Sequence, residues 1–425
     1  MEQTPKANRV HIGFFGRCNA GKSTLINMLT DQPVSLVSEV AGTTTDPVSK
    51  SMEILPLGPV VITDTAGIDD TSELGALRIE KSEEIIKKIN LAVYVLRNDK
   101  APTADDMMWL NKLKQNNVPI ALFINKINAF DSESAHDNDS NGNDTNLNYV
   151  DAYPDLSAIA TVVGSTDFTS NRDRLTLLDL LGGLTPLDVE GEQSLLQGLV
   201  DPGDTIILVC PIDSAAPKGR LILPQVQTIR EILDHKGLAL VCQTEELPTM
   251  LNKLSQKPKL VITDSQAFEA VNALTPADIP LTSFSILMAR FKGKLQDLVT
   301  GVKALNNLKP GARVLISEGC THRRQCDDIG TVKIPMWLKK KGHTDLQLEF
   351  TSGGAFPKDV SGYDLIIHCG ACMLTRREVL RRIDCAVVQG TPIVNYGVLI
   401  ASLHGILERA ISPFMDELDR KGFEC

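Results

Sequence analysis

Two groups of residues in this chain have the types and spacing needed for chemistry. The first is Gly16-Arg17-Cys18-Asn19-Ala20-Gly21-Lys22-Ser23-Thr24, in which two glycines bracket a turn that ends on Lys-Ser. Such glycines let backbone N–H groups face phosphates at a helix N-terminus, where the helix dipole favours anions. Lys22 would neutralise the β- and γ-phosphates, and the Ser23 hydroxyl would reach Mg²⁺. The second group is Cys320-Thr321-His322 with His368-Cys369-Gly370-Ala371-Cys372. Thiolates and imidazoles in this combination bind either a closed tetrahedral zinc or an iron–sulfur cluster, and spacing alone leaves the two metals even.

Three further segments follow the phosphate loop in the order a nucleotide switch requires. Gly42-Thr43-Thr44-Thr45-Asp46 resembles the first switch of the TrmE/Era-like GTPases, which makes Thr44 a Mg²⁺ ligand by that resemblance. In Asp64-Thr65-Ala66-Gly67, Asp64 would hold Mg²⁺ through water and the Gly67 N–H would sense the γ-phosphate. Asn125-Lys126-Ile127-Asn128 stands where a guanine-specificity motif belongs, with Ser165 as a backbone contact to the base. That motif normally ends in Asp; Asn128 offers one acceptor where guanine presents two donors, so selectivity should fall unless Asp131 or another acidic neighbour substitutes. Ile68 follows Gly67, so no glutamine orients water. Relatives that lack the glutamine and carry Asn at the position of Asn19 use K⁺ in place of an arginine finger. By that resemblance Asn19 is a K⁺ ligand, against the plainer reading of Asn as ordinary turn chemistry.

The elements that must position these residues alternate in type. Apolar runs at Val10–Phe15, Val60–Thr63, Leu91–Leu96, Ile120–Ile124 and Ile159–Val163 are separated by helical stretches, which predicts a mostly parallel sheet with helices on both faces. Residues 131–148 are rich in Asp, Asn and Ser and read as a surface insertion without chemistry. A boundary follows Gly182-Gly183. Beyond it, strands are predicted at Thr205–Val209, Leu238–Cys242 and Leu260–Thr263, with a helix over Leu223–Leu233. This unit carries no chemical motif, and a dimer interface is its expected role. A third α/β region has strands at Arg313–Ser317, Leu346–Phe350, Asp364–Ile367 and Pro392–Asn395. A helix from Met373 to Ile383 is expected to aim its first N–H groups at the thiolates of Cys369 and Cys372. The expected map is therefore three α/β domains over 1–183, 184–265 and 266–425, the first a P-loop GTPase domain with a mostly parallel sheet.

Composition narrows the function further. The chain has 425 residues, 43% hydrophobic and 23% charged, with a net charge of -10 and 4% aromatics. The acidic balance and scarce stacking platforms argue against nucleic acid as a partner. No apolar run reaches the roughly 18 residues a membrane span needs, and the polar N-terminus lacks a signal-peptide core, so a cytoplasmic protein is expected. Nine cysteines there do not read as a disulfide framework. Cys210, Cys242 and Cys385 sit in apolar runs and read as packing residues; Cys326 is a reserve ligand.

A GTPase-like N-terminus joined to Cys-x-His, a gap of about 45 residues and His-Cys-x-x-Cys resembles the FeFe-hydrogenase maturation GTPases, the HydF family. Pro211-Ile212-Asp213, Ala216–Leu221 and Asn395-Tyr396-Gly397 look like that family as well, and the likeness runs nearly end to end. The resemblance implies GTP/GDP with Mg²⁺ and K⁺, slow hydrolysis, and a 4Fe–4S cluster on Cys320, Cys369 and Cys372. The fourth position would be open or weakly held by His322 or His368, and Arg323, Arg324 and Tyr396 would line the cavity. The cargo would be a transient di-iron precursor, with apo FeFe-hydrogenase, radical-SAM maturases and further copies of the chain as partners. The alternative is a K⁺-dependent GTPase of tRNA modification or ribosome assembly with a structural zinc site.

Overall fold

The computed structural model describes residues 9–30, 48–54, 58–65, 82–125, 152–166, 171–184, 194–212, 221–319, 328–353 and 355–419. The chain forms two compact units, Met1–Glu190 and Gly191–Cys425.

The first unit is built on a six-stranded sheet in the order β2-β3-β1-β4-β5-β6. Its strands are β1 (Val10–Phe15), β2 (Val48–Ile54), β3 (Gly58–Asp64), β4 (Leu91–Arg97), β5 (Ile120–Asn125) and β6 (Val162–Thr166). All pairings are parallel except that of β2 with β3. Successive side chains of a strand serve opposite faces, and both faces are covered here. Ile12, Phe14, Val93 and Val95 pack with Leu25 and Ile26 of the helix Lys22–Thr30. Phe15, Tyr94 and Leu96 pack with Trp109, Leu110 and Leu113 of the helix Ala104–Gln115 on the other side.

Expectation and structure part at two places. The run expected as a strand from Ile159 divides: Pro154–Ile159 is helix and only Val162–Thr166 is strand. Pro154 supplies a preset φ at the helix start, and the short apolar run that follows suits either element. The antiparallel β2 is an edge strand whose polar positions hid it.

The second unit contains two parallel four-stranded sheets. One has the order β10-β9-β7-β8, from β7 (Thr205–Val209), β8 (Leu238–Cys242), β9 (Leu260–Thr263) and β10 (Leu281–Ser283). The other has the order β12-β11-β13-β14, from β11 (Ala312–Ser317), β12 (Leu346–Thr351), β13 (Leu365–His368) and β14 (Ile393–Asn395). The edge strand β10 carries the first of these sheets past position 265. The apolar helix Phe284–Lys292 follows β10 directly, with the Ser283 hydroxyl accepting from the Ile286 N–H at its start. One hydrophobic core joins both sheets, running from Ile206–Val209 through Ile286–Ala289 to Val314–Ile316 and Ile366–Ile367. Among the described residues no helix is long and apolar enough to cross a membrane.

Candidate functional site

At the carboxyl end of β1 the chain turns through Gly16 and enters the helix at Lys22. Gly16 has φ +135°, and a Cβ there would lie 2.5 Å from the Val95 carbonyl oxygen, so only glycine fits the turn against β4. Asn19 adopts a left-handed φ of +59° and Gly21 one of +104°. The Lys22 ammonium folds back onto this loop, donating to the Gly16 and Arg17 carbonyls at 2.9 Å each. Asp64 ends β3 beside Lys22 and Ser23. Its Oδ1 is buried without a hydrogen-bond partner, and burial holds its carboxyl above the usual range against the pull of Lys22 and Ser23. An orphaned buried carboxylate oxygen beside a serine hydroxyl is a fitting donor set for Mg²⁺. Ser23 and Thr24 open the helix exposed, Ala20 is buried, and the Asn125 amide donates to the Ala20 carbonyl at 3.0 Å. Asn125 thus ends β5 in contact with the phosphate loop. Ser165 lies on β6 opposite Ile124. Thr44, Gly67, Lys126 and Asn128 lie outside the described residues, as do 131–148.

One support was not anticipated. Asp106, fully buried, accepts from the Tyr94 hydroxyl at 2.9 Å and the Thr103 hydroxyl at 2.7 Å, and it lies 3.4 Å from the Arg17 guanidinium. The Thr103–Asp106 pair caps the helix Ala104–Gln115 and at the same time anchors the second residue of the phosphate loop. The Thr-x-x-Asp spacing was its sequence signal.

In the second unit, His368 ends β13 and the loop Cys369–Cys372 follows. The Cys369 thiol sulfur accepts backbone N–H groups from Gly319 at 3.0 Å and Ala371 at 3.3 Å. Burial pushes the Cys369 thiol up, and these two donors act in the opposite direction. Gly319 follows β11, the strand paired with β13, so the described chain that leads up to Cys320 lies against the Cys369 loop. Cys320, His322, Arg323, Arg324 and Cys326 lie outside the described residues. Among the described residues no three His, Cys, Asp or Glu side chains converge on a metal position.

The helix after the loop departs from expectation. It runs Arg376–Val388, and the Thr375 hydroxyl caps it by accepting from the Glu378 N–H. Its N-terminus is therefore satisfied three residues beyond Cys372. The donors that reach Cys369 come from the loops instead.

His368 is buried with both ring nitrogens engaged. Arg382 can only donate, so its contact at 3.2 Å makes Nε2 an acceptor; the Cys369 carbonyl can only accept, so Nδ1 carries the proton at 2.9 Å. Burial and the Arg382 charge hold His368 down to about 4, so it is neutral at pH 7. In this arrangement the lone pair that would bind a metal is taken by Arg382. Arg382 is itself fully buried and donates further to Glu378 at 2.8 Å and the Gly353 carbonyl at 2.6 Å.

Two more groups surround the loop. Tyr396 is buried and donates to Glu318 at 3.2 Å; burial and Glu318 raise its hydroxyl far above the ordinary value. Lys292, only 2% exposed, donates to the carbonyls of Ala371 at 3.3 Å, Cys372 at 3.1 Å and Leu374 at 2.8 Å. Burial lowers its ammonium to about 8, with the charges of Cys372 and Cys369 opposing. Cys210 and Cys242, read as packing residues, have thiols that burial pushes up to about 12 and about 11.

Comparison with known proteins separates the two units. Residues 11–126 match the family described as 50S ribosome-binding GTPase. Residues 195–293 match the hydrogen maturase F dimerization domain, and residues 296–413 the hydrogen maturase F tetramerization domain. The chain belongs to the hydrogen maturase F family. Relatives of its GTPase part include the tRNA modification GTPase MnmE of Endomicrobium trichonymphae, 32% identical over 28% of this chain and 26% of that protein. GTPase Der of Campylobacter curvus is 34% identical over 27% of this chain and 24% of its own length. The chain thus spans about a quarter of the length of these curated relatives. The solved structure of Aquifex aeolicus Era covers 58% of this chain and 98% of its own at 18% identity and a TM-score of 0.33. A hydrogen maturase F chain thus carries its nucleotide site in one unit and its cysteine loop in the other, within the part the family describes by self-association.

Proposed function

We propose that this chain is a GTP-hydrolysing scaffold that binds a 4Fe–4S cluster and carries a di-iron precursor to apo FeFe-hydrogenase, in exchange with radical-SAM maturases. The observation that carries the reading is the cysteine loop of a hydrogen maturase F domain. Its half-buried sulfur accepts two backbone N–H groups, and a buried ammonium is bonded to the carbonyls of the same loop. That is a donor set for anionic sulfur.

In the nucleotide unit, Gly16, Asn19, Ala20, Gly21, Lys22, Ser23 and Thr24 form the phosphate cradle. Ser23, Thr44 and Asp64 hold Mg²⁺, and Lys22, Thr44 and Gly67 act on the γ-phosphate. Asn125, Lys126, Asn128 and Ser165 take the base. Asn19 coordinates K⁺. In the second unit, Cys320, Cys369 and Cys372 hold the cluster, which supplies a site with one exchangeable position. Because the His368 lone pair is engaged by Arg382, His322 is assigned that position. Association through residues 195–293 and 296–413 assembles copies of the chain.

The test is metal and sulfide analysis with EPR on protein purified without oxygen. About four irons and four sulfides per chain, with a reducible signal lost on Cys369→Ala, support the reading. Stoichiometric zinc without sulfide overturns it.

A further inference from the structure

We propose that Lys292 is the positioning residue of the cysteine loop: its ammonium holds the loop from beneath and provides the fixed positive charge against which Cys369 and Cys372 carry an anionic group. The inference rests on the iron–sulfur reading above, and it concerns a residue on a separate element.

An ammonium has three donors, and the carbonyls of Ala371, Cys372 and Leu374 accept from all three. These bonds tie the end of the helix Phe284–Lys292 to both sides of Cys372. Their effect is mechanical, since the loop is otherwise fixed mainly by Cys369 and by the Leu374 N–H bonded to the Ala371 carbonyl at 3.1 Å. Ala371 stands at a left-handed φ of +55°, a conformation that L side chains adopt only under constraint. Lys292 supplies part of that constraint.

Its charge is the second argument. Among the described residues no carboxylate pairs with Lys292, although it is almost fully buried. Carbonyl dipoles solvate an ammonium only partly, and an uncompensated buried charge is strongly destabilising. A neutral side chain of similar length would fill this apolar helix end at lower cost. The groups whose charge acts on Lys292 are Cys372 and Cys369. Lys292 is bonded to the backbone of the loop that carries Cys369 and Cys372, so an anionic group held by those two sulfurs would supply the missing compensation. Net charge near a cluster is one of the levers on its reduction potential, and a nearby fixed cation favours the more negative, reduced state.

The test compares Lys292→Met, Lys292→Gln and Lys292→Arg in the full chain. Two readouts are used: amide hydrogen exchange of residues 369–376 in metal-free protein, and the midpoint of the reconstituted cluster by EPR-monitored redox titration. Neutral variants should keep iron and sulfide but lower the midpoint, so that at the wild-type midpoint the reduced-to-oxidised ratio falls about tenfold, or ~59 mV for one electron. The arginine variant should stay at the wild-type midpoint. Lys292→Met should also speed exchange in the loop severalfold, and Lys292→Gln, which keeps a donor, by less. Wild-type midpoint and wild-type exchange in both neutral variants would overturn the proposal. Should the methionine variant not fold, the glutamine variant decides alone. Should the wild-type chain take up no sulfide, the iron–sulfur reading falls by itself; unchanged loop exchange in the metal-free variants would then overturn the positioning role too.

Discussion

Replacing Arg382 by methionine tests whether the wall of the cysteine site is held by one buried guanidinium. Methionine fills similar volume but donates nothing. Glu378 would keep two bonds from Arg381, at 2.7 and 2.8 Å, and so would not be stranded. His368 Nε2 and the Gly353 carbonyl would each lose a donor in a buried setting. Stranding a buried polar group costs about 1–3 kcal/mol, and relief of the guanidinium's own desolvation offsets part of the sum. The expected loss is about 3 kcal/mol of stability in the second unit. The assay is urea unfolding followed by Trp337, with Trp109→Phe in every variant so that one of the two tryptophans reports alone. A double-mutant cycle with His368→Leu removes the stranded lone pair, and the two losses should then fail to add by about 1 kcal/mol or more. A loss below about 0.5 kcal/mol, or full additivity, would refute the reasoning.

Other outcomes follow from the two sites. In metal-free protein, His368 has a folded pKa of about 4 against 6.5 for the free residue. Its contribution is complete above pH 6.5 and is lost as pH falls toward 4, by up to about 3 kcal/mol; urea midpoints across that range should show a smaller acid loss in Arg382→Met. Asn19→Gly keeps the left-handed φ of +59° and should retain nucleotide binding while losing the rate difference between KCl and NaCl; full K⁺ stimulation in that variant would show that Asn19 serves the backbone alone. Asp64→Asn removes a buried carboxylate with an orphaned oxygen, so the nucleotide-free unit should melt no lower while Mg²⁺-dependent GTP hydrolysis falls roughly 10–100-fold. Ala371→Gly relieves a left-handed alanine and should raise stability by up to about 1 kcal/mol, and a lowered urea midpoint would count against strain in that loop.

Much of the scaffold was legible because parallel strands read as short continuous apolar runs, in the buried Leu260–Thr263 and also in the edge strand Leu238–Cys242, where Leu238 and Val241 are exposed. Thr205–Val209, Leu238–Cys242 and Leu260–Thr263 form strands over the bounds expected from sequence. The edges were less legible: β2 alternates polar residues, and β10 spans three. The chemistry was legible where a motif follows a strand, as at Gly16 and Asp64. The groups that set the environment were not. Lys292 lies in the last turn of its helix, where a basic residue ordinarily reads as a solvated complement to the dipole. Arg382 sits in a helix with several other arginines, and nothing local marks it as the buried one. Both are revealed only by what the fold places opposite them.

The core that runs through both sheets of the second unit has a consequence for anyone who would take the chain apart. The two family domains meet between residues 293 and 296, yet that seam falls between two helices that bury Leu287, Met288, Leu295 and Leu298 in a single cluster. Arg409, near the far end, clasps the carbonyls of Asn272, Thr275 and Ile279 across the same seam. The residues matched by the dimerization and tetramerization models thus share one hydrophobic core. A fragment ended at the seam would keep its strands but expose half a core, and it would report on aggregation rather than on assembly.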